Sequence, residues 1–305
     1  MKSQKIYIPI ILIILAVGFF AGYRLSNKPE RKKMSGAMQA LQFFTKVRAY
    51  PDTDISNDAY YRAFVHSKRA LRKANGADDA AEPWKLLGPK NVGGRTKAIA
   101  INPMNSRNLW AGSASGGLWR SRSAGEGVQA WEYVDTGFPV LGVCTIAIDP
   151  ADTNRMYIGT GEVYGYQNST GGIVERMTRG SYGIGILKST DGGRTWQMSL
   201  DWAYFQQRGV QKIVINPLNH EVLYAATTEG TFKSSNAGET WVQVHDVKMA
   251  MDVDIHPSDT STVFVASGDL NSEGAGVYRT RNAGQTWSLL KNGMISGYSG
   301  KTSID

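Results

Sequence analysis

One eight-residue segment recurs three times in this chain without gaps, and it constrains the fold more than any other feature. The copies run over residues 189–196, 234–241 and 280–287, and the tryptophans that end them are 45 and 46 residues apart. A repeat at a fixed period of this length is typical of chains built from one supersecondary unit used several times. We call these copies boxes 2, 3 and 4.

A degenerate copy, box 1, precedes them. Ser121, Ser123 and Gly125 keep the spacing of the other boxes, but Trp131 follows the glycine by six positions instead of three. The chain therefore carries four repeats of one unit.

Apolar segments around each box predict four short strands per unit. The first strand ends at a proline (AIAINP, TIAIDP, KIVINP, VDIHP), the second follows it (NLWAGS, RMYIGT, VLYAAT, TVFVAS), and the third leads into the box (GLWRS, GILKS, GTFKS, GVYRT). The fourth strand begins after the box. Four antiparallel strands at this period are typical of a β-propeller blade, and 34 glycines among many aromatic residues fit short strands joined by tight turns.

Each box is predicted to be a turn rather than a catalytic motif. The side chain at position three can accept hydrogen bonds from nearby backbone N–H groups, the glycine two residues later tolerates positive φ, and the tryptophan can fill the space between blades. The residues assigned to this structural role are Ser189, Asp191, Gly193, Thr195, Trp196, Ser234, Asn236, Gly238, Trp241, Thr280, Asn282, Gly284 and Trp287.

The pattern S-x-D-x-G-x-T-W resembles the Asp-box, or BNR, repeat of sialidase-like and sortilin-like propellers. Residues 189–196 match it at every defined position, whereas boxes 3 and 4 carry Asn236 and Asn282 in place of aspartate. The segment from Trp84 to Arg95 is similar to the opening of large exported bacterial proteins described as glycosyl-hydrolase-like, sortilin-like or photosystem-assembly-factor-like. This resemblance covers about residues 84–305 and implies a propeller, but a turn motif assigns no activity.

The N-terminus carries a predicted membrane anchor. Residues Ile6 to Tyr23 form an uncharged run of 18 residues, which is long enough to span a bilayer. A cleaved signal peptide is the alternative for residues 1–23. The basic residues that follow the run favour a cytoplasmic location for the part of the chain after it. We nevertheless expect an extracytoplasmic, membrane-anchored location, periplasmic or at the cell surface, because large domains translocate largely regardless of local charge. Cleavage would make the protein secreted.

The distribution of the +8 net charge along the chain argues against nucleic-acid binding by residues 81–305. Residues 1–80 hold 14 of the 34 Lys and Arg but only 6 of the 26 Asp and Glu, so the remainder of the chain is neutral. A DNA-binding domain would carry the basic excess itself. Four scattered histidines and the single Cys144 show no metal-ligand spacing, and we expect neither a metal nor a cofactor.

We therefore expect an all-β fold after the anchor and a basic helical spacer at 24–80. The partial propeller occupies 81–305, with blades at about 96–135, 143–200, 210–245 and 251–290 and the start of another after 295. Propellers usually close with four to eight blades. We expect these four to form an open, incomplete ring.

Strand direction alternates within a blade, so the 2–3 and 4–1 links emerge on the face opposite the boxes. The longest 2–3 link, at about 162–184, and the following 4–1 link, at about 201–210, fall together there. Aromatic rings can stack on sugars or contact peptide side chains, and arginines can bind carboxylates. The predicted ligand-binding residues are Tyr164, Tyr166, Arg179, Tyr182, Trp202, Tyr204, Phe205 and Arg208. Alternatively, these rings pack the long loop against its blade.

Glycoside hydrolysis usually requires two carboxylates, and Glu162 and Glu175 are the candidates on this face. Neither lies in a diagnostic motif, and Glu162 reads first as a solvated residue at a strand end. The favoured function is a membrane-anchored, exported module that binds carbohydrate or protein ligands, and any enzyme activity would be glycoside hydrolysis. The alternatives are a sialidase- or xyloglucanase-like hydrolase with an incomplete catalytic set, and a cytoplasmic-side scaffold.

Overall fold

The computed structural model describes residues 58–74, 94–162, 183–205, 208–268, 273–291 and 302–304, with single positions between 39 and 52. The chain divides into two compact units, Met1–Tyr50 and Pro51–Asp305. The predicted anchor, Ile6 to Tyr23, lies outside the described residues. Within the described ranges, no helix is long and apolar enough to cross a membrane. All elements below belong to the second unit.

Sixteen strands in the described ranges form four antiparallel sheets, each with four strands in sequential order. We call these sheets blades 1 to 4. Blade 1 contains β1 (Thr96–Asn102), β2 (Asn105–Ser113), β3 (Leu118–Ser121) and β4 (Glu132–Val134), and blade 2 contains β5 (Val143–Ile148), β6 (Met156–Thr160), β7 (Gly185–Ser189) and β8 (Gln197–Asp201). Blade 3 contains β9 (Val210–Ile215), β10 (Leu223–Thr227), β11 (Gly230–Ser234) and β12 (Val242–His245), and blade 4 contains β13 (Ala250–Ile255), β14 (Val263–Ser267), β15 (Gly276–Thr280) and β16 (Ser288–Leu289).

The first strands of consecutive blades lie side by side. Strand β5 contacts both β1 and β9, and β9 contacts β13. Between blades 2 and 3 the backbone N–H of Ile213 donates to Thr145 Oγ1 at 3.1 Å. First strands grouped in this way, with the remaining strands outside them, give the arrangement of a propeller. The predicted all-β, propeller-like fold of four-stranded sheets is confirmed.

The hydrophobic core lies between the blades. One buried cluster joins blades 1 and 2 and includes Trp110, Leu118 and Trp196. A second joins blades 2 and 3, and a third joins blades 3 and 4 around Tyr224 and Val253. A single sheet has apolar residues on both faces, so each blade completes its core only against its neighbours.

The boxes form the 3–4 links, and all four close in the same way. The hydroxyl at position one accepts the N–H of the glycine at position five, over 2.9 Å in boxes 1 and 2, 2.8 Å in box 3 and 3.0 Å in box 4. Box 1 therefore keeps this bond although Ser123 replaces the carboxylate or amide at position three.

Positions four and five of the boxes both have positive φ. The predicted glycines Gly193, Gly238 and Gly284 have φ of 77°, 79° and 92°. Position four is alanine in box 3, where Ala237 has φ of 52°. Its N–H donates to Glu221 O at 2.8 Å, in the 1–2 link of the same blade. The 1–2 and 3–4 links are thus joined on one face, which we call the box face. The opposite face, formed by the 2–3 and 4–1 links, is the loop face.

Candidate functional site

The loop face contains the residues predicted to bind a ligand, but the structure describes only part of it. Five of the predicted residues lie outside the described ranges, in the segment 163–182: Tyr164, Tyr166, Glu175, Arg179 and Tyr182. Their roles stay predictions. The described part contains Glu162 and, from the following 4–1 link, residues 202–205 and 208–209.

Glu162 is completely buried and paired with two cations. Arg95 donates from both terminal nitrogens to the two carboxylate oxygens, and Lys97 Nζ lies 3.2 Å from Glu162 Oε1. The Arg95 side chain is 55% exposed, so part of it reaches solvent although both of its terminal nitrogens bond Glu162. Glu162 was predicted to be a solvated strand-end residue, and this is wrong because Arg95 and Lys97, both from blade 1, cover and neutralise it.

This pairing limits the chemistry of Glu162. A carboxylate held by a guanidinium and an ammonium is stabilised as the anion. Protonation of a leaving glycosidic oxygen requires a carboxylic acid, whereas the second carboxylate of a glycosidase acts as an anion. Glu162 therefore fits a positioning or anionic role and does not fit the role of general acid.

The aromatic residues after β8 divide into buried and exposed rings. Trp202 is 5% exposed and meets Phe232 edge to face, with ring centroids 5.6 Å apart. Its predicted role as an exposed platform is contradicted, because the ring belongs to the core between blades 2 and 3. Tyr204 and Phe205 are 49% and 47% exposed.

Arg208 joins these rings to a second charged cluster. Its guanidinium lies 4.5 Å from the Phe205 ring centroid and 5.5 Å from that of Trp202. Arg208 Nε is also 3.8 Å from Glu229 Oε1, and Lys248 Nζ is 3.1 Å from Glu229 Oε2. The cluster combines a half-exposed aromatic ring with charges of both signs, which is suited to a polar ligand with flat apolar faces.

Helix α1 (Ala59–Ala74) lies against the same face. Tyr61 meets Tyr204 edge to face with ring centroids 5.2 Å apart, and Lys68 Nζ donates to Gly137 O at 2.6 Å. Both partners belong to 4–1 links. The helix therefore covers part of the surface that was predicted to be open to ligands.

A cavity of about 380 Å³ opens between the first strands on the loop face. Its polar lining includes Lys97, Thr145, Lys212, Asp252 and Ser303. Lys212 Nζ lies 3.0 Å from Asp252 Oδ1. Sequence reasoning did not find this lining. The signal was present, because Thr145, Lys212 and Asp252 each stand five residues before the proline that follows their strand, at a position that is Ala98 in blade 1.

The described residues contain no group of three or more His, Cys, Asp or Glu side chains that could hold a metal ion. Cys144 is buried in β5. Several charged residues of the loop face instead form ion pairs between neighbouring blades: Glu162 with Arg95 and Lys97, and Asp252 with Lys212.

Comparison with known proteins finds similarity to xyloglucanases. No family model matches the sequence. It is 24% identical over 246 residues to a xyloglucanase of Hypocrea jecorina, covering 69% of this chain and 28% of that protein. It is also 24% identical over 250 residues to a xyloglucanase of a Paenibacillus species, covering 70% of this chain and 23% of that protein. The chain thus spans about a quarter of the length of these curated relatives.

The fold of this chain resembles that of the solved structure of an ancestral GH74 enzyme. The two chains are 20% identical with a TM-score of 0.52, and the match covers 70% of this chain and 26% of the other. At this identity the likeness supports the propeller-like fold alone.

These relatives correct the functional prediction. A binding or assembly module was favoured over an enzyme, and this preference is wrong because the matching curated proteins are xyloglucanases. They are glycoside hydrolases, the class expected for any enzymatic activity. Protein partners gain no support from them.

Proposed function

We propose that this chain is part of a glycoside hydrolase that acts on a xyloglucan-like polysaccharide. The similarity to fungal and bacterial xyloglucanases carries this proposal, since it extends over 69–70% of the chain. The loop face contributes the matching chemistry. Half-exposed Tyr204 and Phe205 can stack on pyranose rings, and Arg95, whose side chain is 55% exposed, can donate to sugar hydroxyl groups.

In this proposal Glu162 is a positioning residue. It fixes Lys97, which lines the cavity between the first strands, and Arg95, which pairs with the same carboxylate; a glucan chain would lie across this cavity. A glycosidase also needs a protonated carboxyl group on the other side of the scissile bond. Glu162 does not fill that role while it is ion-paired, so the proposal assigns the proton donor to another carboxyl group of the enzyme.

Two measurements on the full chain in detergent test the proposal. Calorimetric titration with xyloglucan oligosaccharides should show binding, and soluble starch should bind at least tenfold more weakly. Release of reducing ends from xyloglucan measures hydrolysis. Equal affinity for both glucans, or binding of neither, would contradict the proposal.

Glu162→Gln tests the positioning role. The amide removes the charge that holds Arg95 and should weaken xyloglucan binding about fivefold, which corresponds to about 1 kcal/mol. Glu239→Gln is a matched control, because Glu239 lies in box 3 on the opposite face. The proposed role is wrong if both variants bind as the parent does.

The repeats and the N-terminus complete the proposal. We assign the boxes to the Asp-box type, supported by the shared hydrogen bond between positions one and five.

We also propose the predicted division into anchor, spacer and propeller, with the propeller exported and held to the membrane by residues 6–23. Protease treatment of intact cells tests this location, since an exported propeller would be cleaved and a cytoplasmic one would be protected.

A further inference from the structure

Helix α1 lies on the loop face with one side turned toward the blades. Its residues Tyr60, Tyr61, Phe64 and Val65 are half-buried, and they recur at the three- and four-residue spacing of one helix face. Residues 62, 63, 66 and 67, which lie between them in the sequence, are exposed. The helix is therefore amphipathic, and its apolar side is docked on the propeller.

The docked side of α1 reaches the 4–1 links of two blades. Tyr61 packs against the core cluster between blades 1 and 2, and its ring meets Tyr204 edge to face with centroids 5.2 Å apart. In the link of blade 1, Gly137 O accepts a bond from Lys68 Nζ at 2.6 Å. The helix thus lies over the loop-face end of the interface between these blades.

The phenols on both sides of this contact are partly withdrawn from water. Burial raises the pKa of Tyr61, and the negative charge of Asp201 at the end of β8 raises it further. Burial also raises the pKa of Tyr133 in β4, with smaller contributions from Asp135 and Tyr60. The helix therefore shields surface on blade 1 as well as on blade 2.

The attachment of α1 is weaker than the contacts between blades. Tyr157 and Tyr224, which lie in the clusters between consecutive blades, have no exposed surface. Tyr204 remains 49% exposed beside the helix, and the bond from Lys68 is open to water. Elements held by exposed bonds and partly buried rings open at a lower free energy than the core. Helix α1 can therefore leave the loop face while the blades stay folded.

The helix and a bound sugar compete for Tyr204. In the proposed function this ring stacks on a pyranose, which needs open space around the ring. With α1 docked, Tyr61 occupies part of that space. A sugar that uses the whole Tyr204 ring requires Tyr61 to move away.

We infer that α1 is an autoinhibitory lid on the loop face, displaced when a glucan chain binds at Tyr204. The inference rests on the proposed function, because the glucan is the competing ligand. The apparent affinity of the closed and open mixture is the intrinsic affinity multiplied by the fraction of molecules with α1 undocked. Weakening the contacts of the helix should therefore tighten binding.

Calorimetric titration of the full chain in detergent with xyloglucan oligosaccharides tests the lid. Tyr61→Ala removes the contact with Tyr204 and should raise the affinity about fivefold, which corresponds to about 1 kcal/mol. Lys68→Ala removes the bond to the link of blade 1 and should raise the affinity at least twofold. Arg69→Ala is the control, because this exposed side chain on the same helix should leave the affinity unchanged.

Hydrogen exchange separates a lid from a helix that only borders the site. Saturating xyloglucan oligosaccharide should speed amide exchange within Ala59–Ala74 at least threefold, because an undocked helix of 16 residues is only marginally stable in water. The blade strands should keep their protection.

Two sets of results would overturn the lid. Equal or weaker binding by Tyr61→Ala, or exchange of α1 that is unchanged or slower with the oligosaccharide, would refute the lid and leave the proposed hydrolase in place. Binding of xyloglucan by neither the parent nor the variants would refute the proposed function, and the lid would fall with it.

Discussion

At the scale of single residues, position three of the box can be aspartate or asparagine, because the hydroxyl of its threonine partner can either donate a hydrogen bond or accept one. In box 2, Thr195 Oγ1 donates to Asp191 Oδ2 at 2.7 Å. In box 3, Asn236 Nδ2 donates to Thr240 Oγ1 at 2.9 Å. A hydroxyl can donate or accept, so the turn survives the exchange. The asparagines of boxes 3 and 4 therefore preserve the structure that the aspartate builds.

Asp191→Asn should leave stability at pH 7 within about 0.5 kcal/mol of the parent but change its acid dependence. Hydrogen bonds from the backbone and side chain of Thr195 lower the pKa of Asp191 to about 2, from 3.8. A lowered pKa stabilises the fold above the unfolded value, and this contribution is lost as the pH falls from about 4 to 2. Urea unfolding between pH 2 and 7 should show a shallower acid loss in the variant.

The reverse substitution serves as the control. Asn236→Asp places a carboxylate in box 3, where the N–H of Thr240 donates to the side-chain oxygen at 2.9 Å, and should add an acid-dependent contribution. If Asp191→Asn lowers stability equally at pH 2.5 and pH 7, the hydrogen-bonded carboxylate is not the source of the acid dependence.

At the scale of elements, a charged network around the buried Asp149 joins the 1–2 links of blades 2 and 3 on the box face. Asp149 is fully buried and accepts bonds from Arg155 Nε at 2.6 Å and from the N–H of Ala151 at 2.8 Å, with His220 Nδ1 2.7 Å from Oδ1. Arg155 also donates to Glu221 of blade 3 at 2.7 Å. Burial alone would raise the pKa of Asp149, but the bonds from Ala151 and Arg155 outweigh it and the pKa is lowered.

Asp149→Asn should destabilise the protein by roughly 2 kcal/mol at neutral pH, because it leaves Arg155 without its buried counter-charge. The lowered pKa means that the stabilisation is complete above about pH 4 and is lost as the pH falls through the folded value. The difference between parent and variant in urea unfolding should therefore shrink in acid. Asp152→Asn, in the same link but exposed, should cost less than about 0.5 kcal/mol; an equal cost would argue against the network.

Among the described residues, helix α1 contacts the loop face through Tyr61 and Lys68, and we expect it to detach without unfolding the blades. Tyr61→Ala removes the edge-to-face contact with Tyr204, which is worth about 1 kcal/mol. Hydrogen exchange within Ala59–Ala74 should become about fivefold faster while the blade strands keep their protection. Arg69→Ala, an exposed change on the same helix, should leave exchange unchanged. If both variants behave alike, Tyr61 does not dock the helix.

At the scale of the whole molecule, the repeat allowed the fold to be predicted because each blade is specified by local sequence. The proline after the first strand, the apolar second strand and the box all lie within about 46 residues. The site depended on contacts that no local pattern shows. Glu162 is buried by Arg95, which is 67 residues away, and Trp202 packs into an interface with the next blade. The polar first-strand position was visible in the sequence only after alignment of the four repeats.

The first strand of blade 1 presents exposed apolar side chains. Ile99 and Ile101 of β1 are 69% and 59% exposed. The residues equivalent to Ile99 in blades 3 and 4 are Ile213 and Val253, and they are 4% and 0% exposed. In those blades the preceding sheet covers the first strand. An exposed apolar strand of this kind favours association with another sheet.

Replacing Ile99 and Ile101 together by threonine should therefore reduce self-association of the full chain in detergent. Threonine keeps a branched side chain suited to a strand, so the free energy of unfolding should change by less than about 1 kcal/mol. Sedimentation velocity over a range of protein concentrations measures the association. Leu218→Thr is the matched control, because Leu218 is 66% exposed on the box face, away from the first strands. If the control lowers association as much as the double variant, general surface hydrophobicity is responsible and the β1 face is not a specific contact.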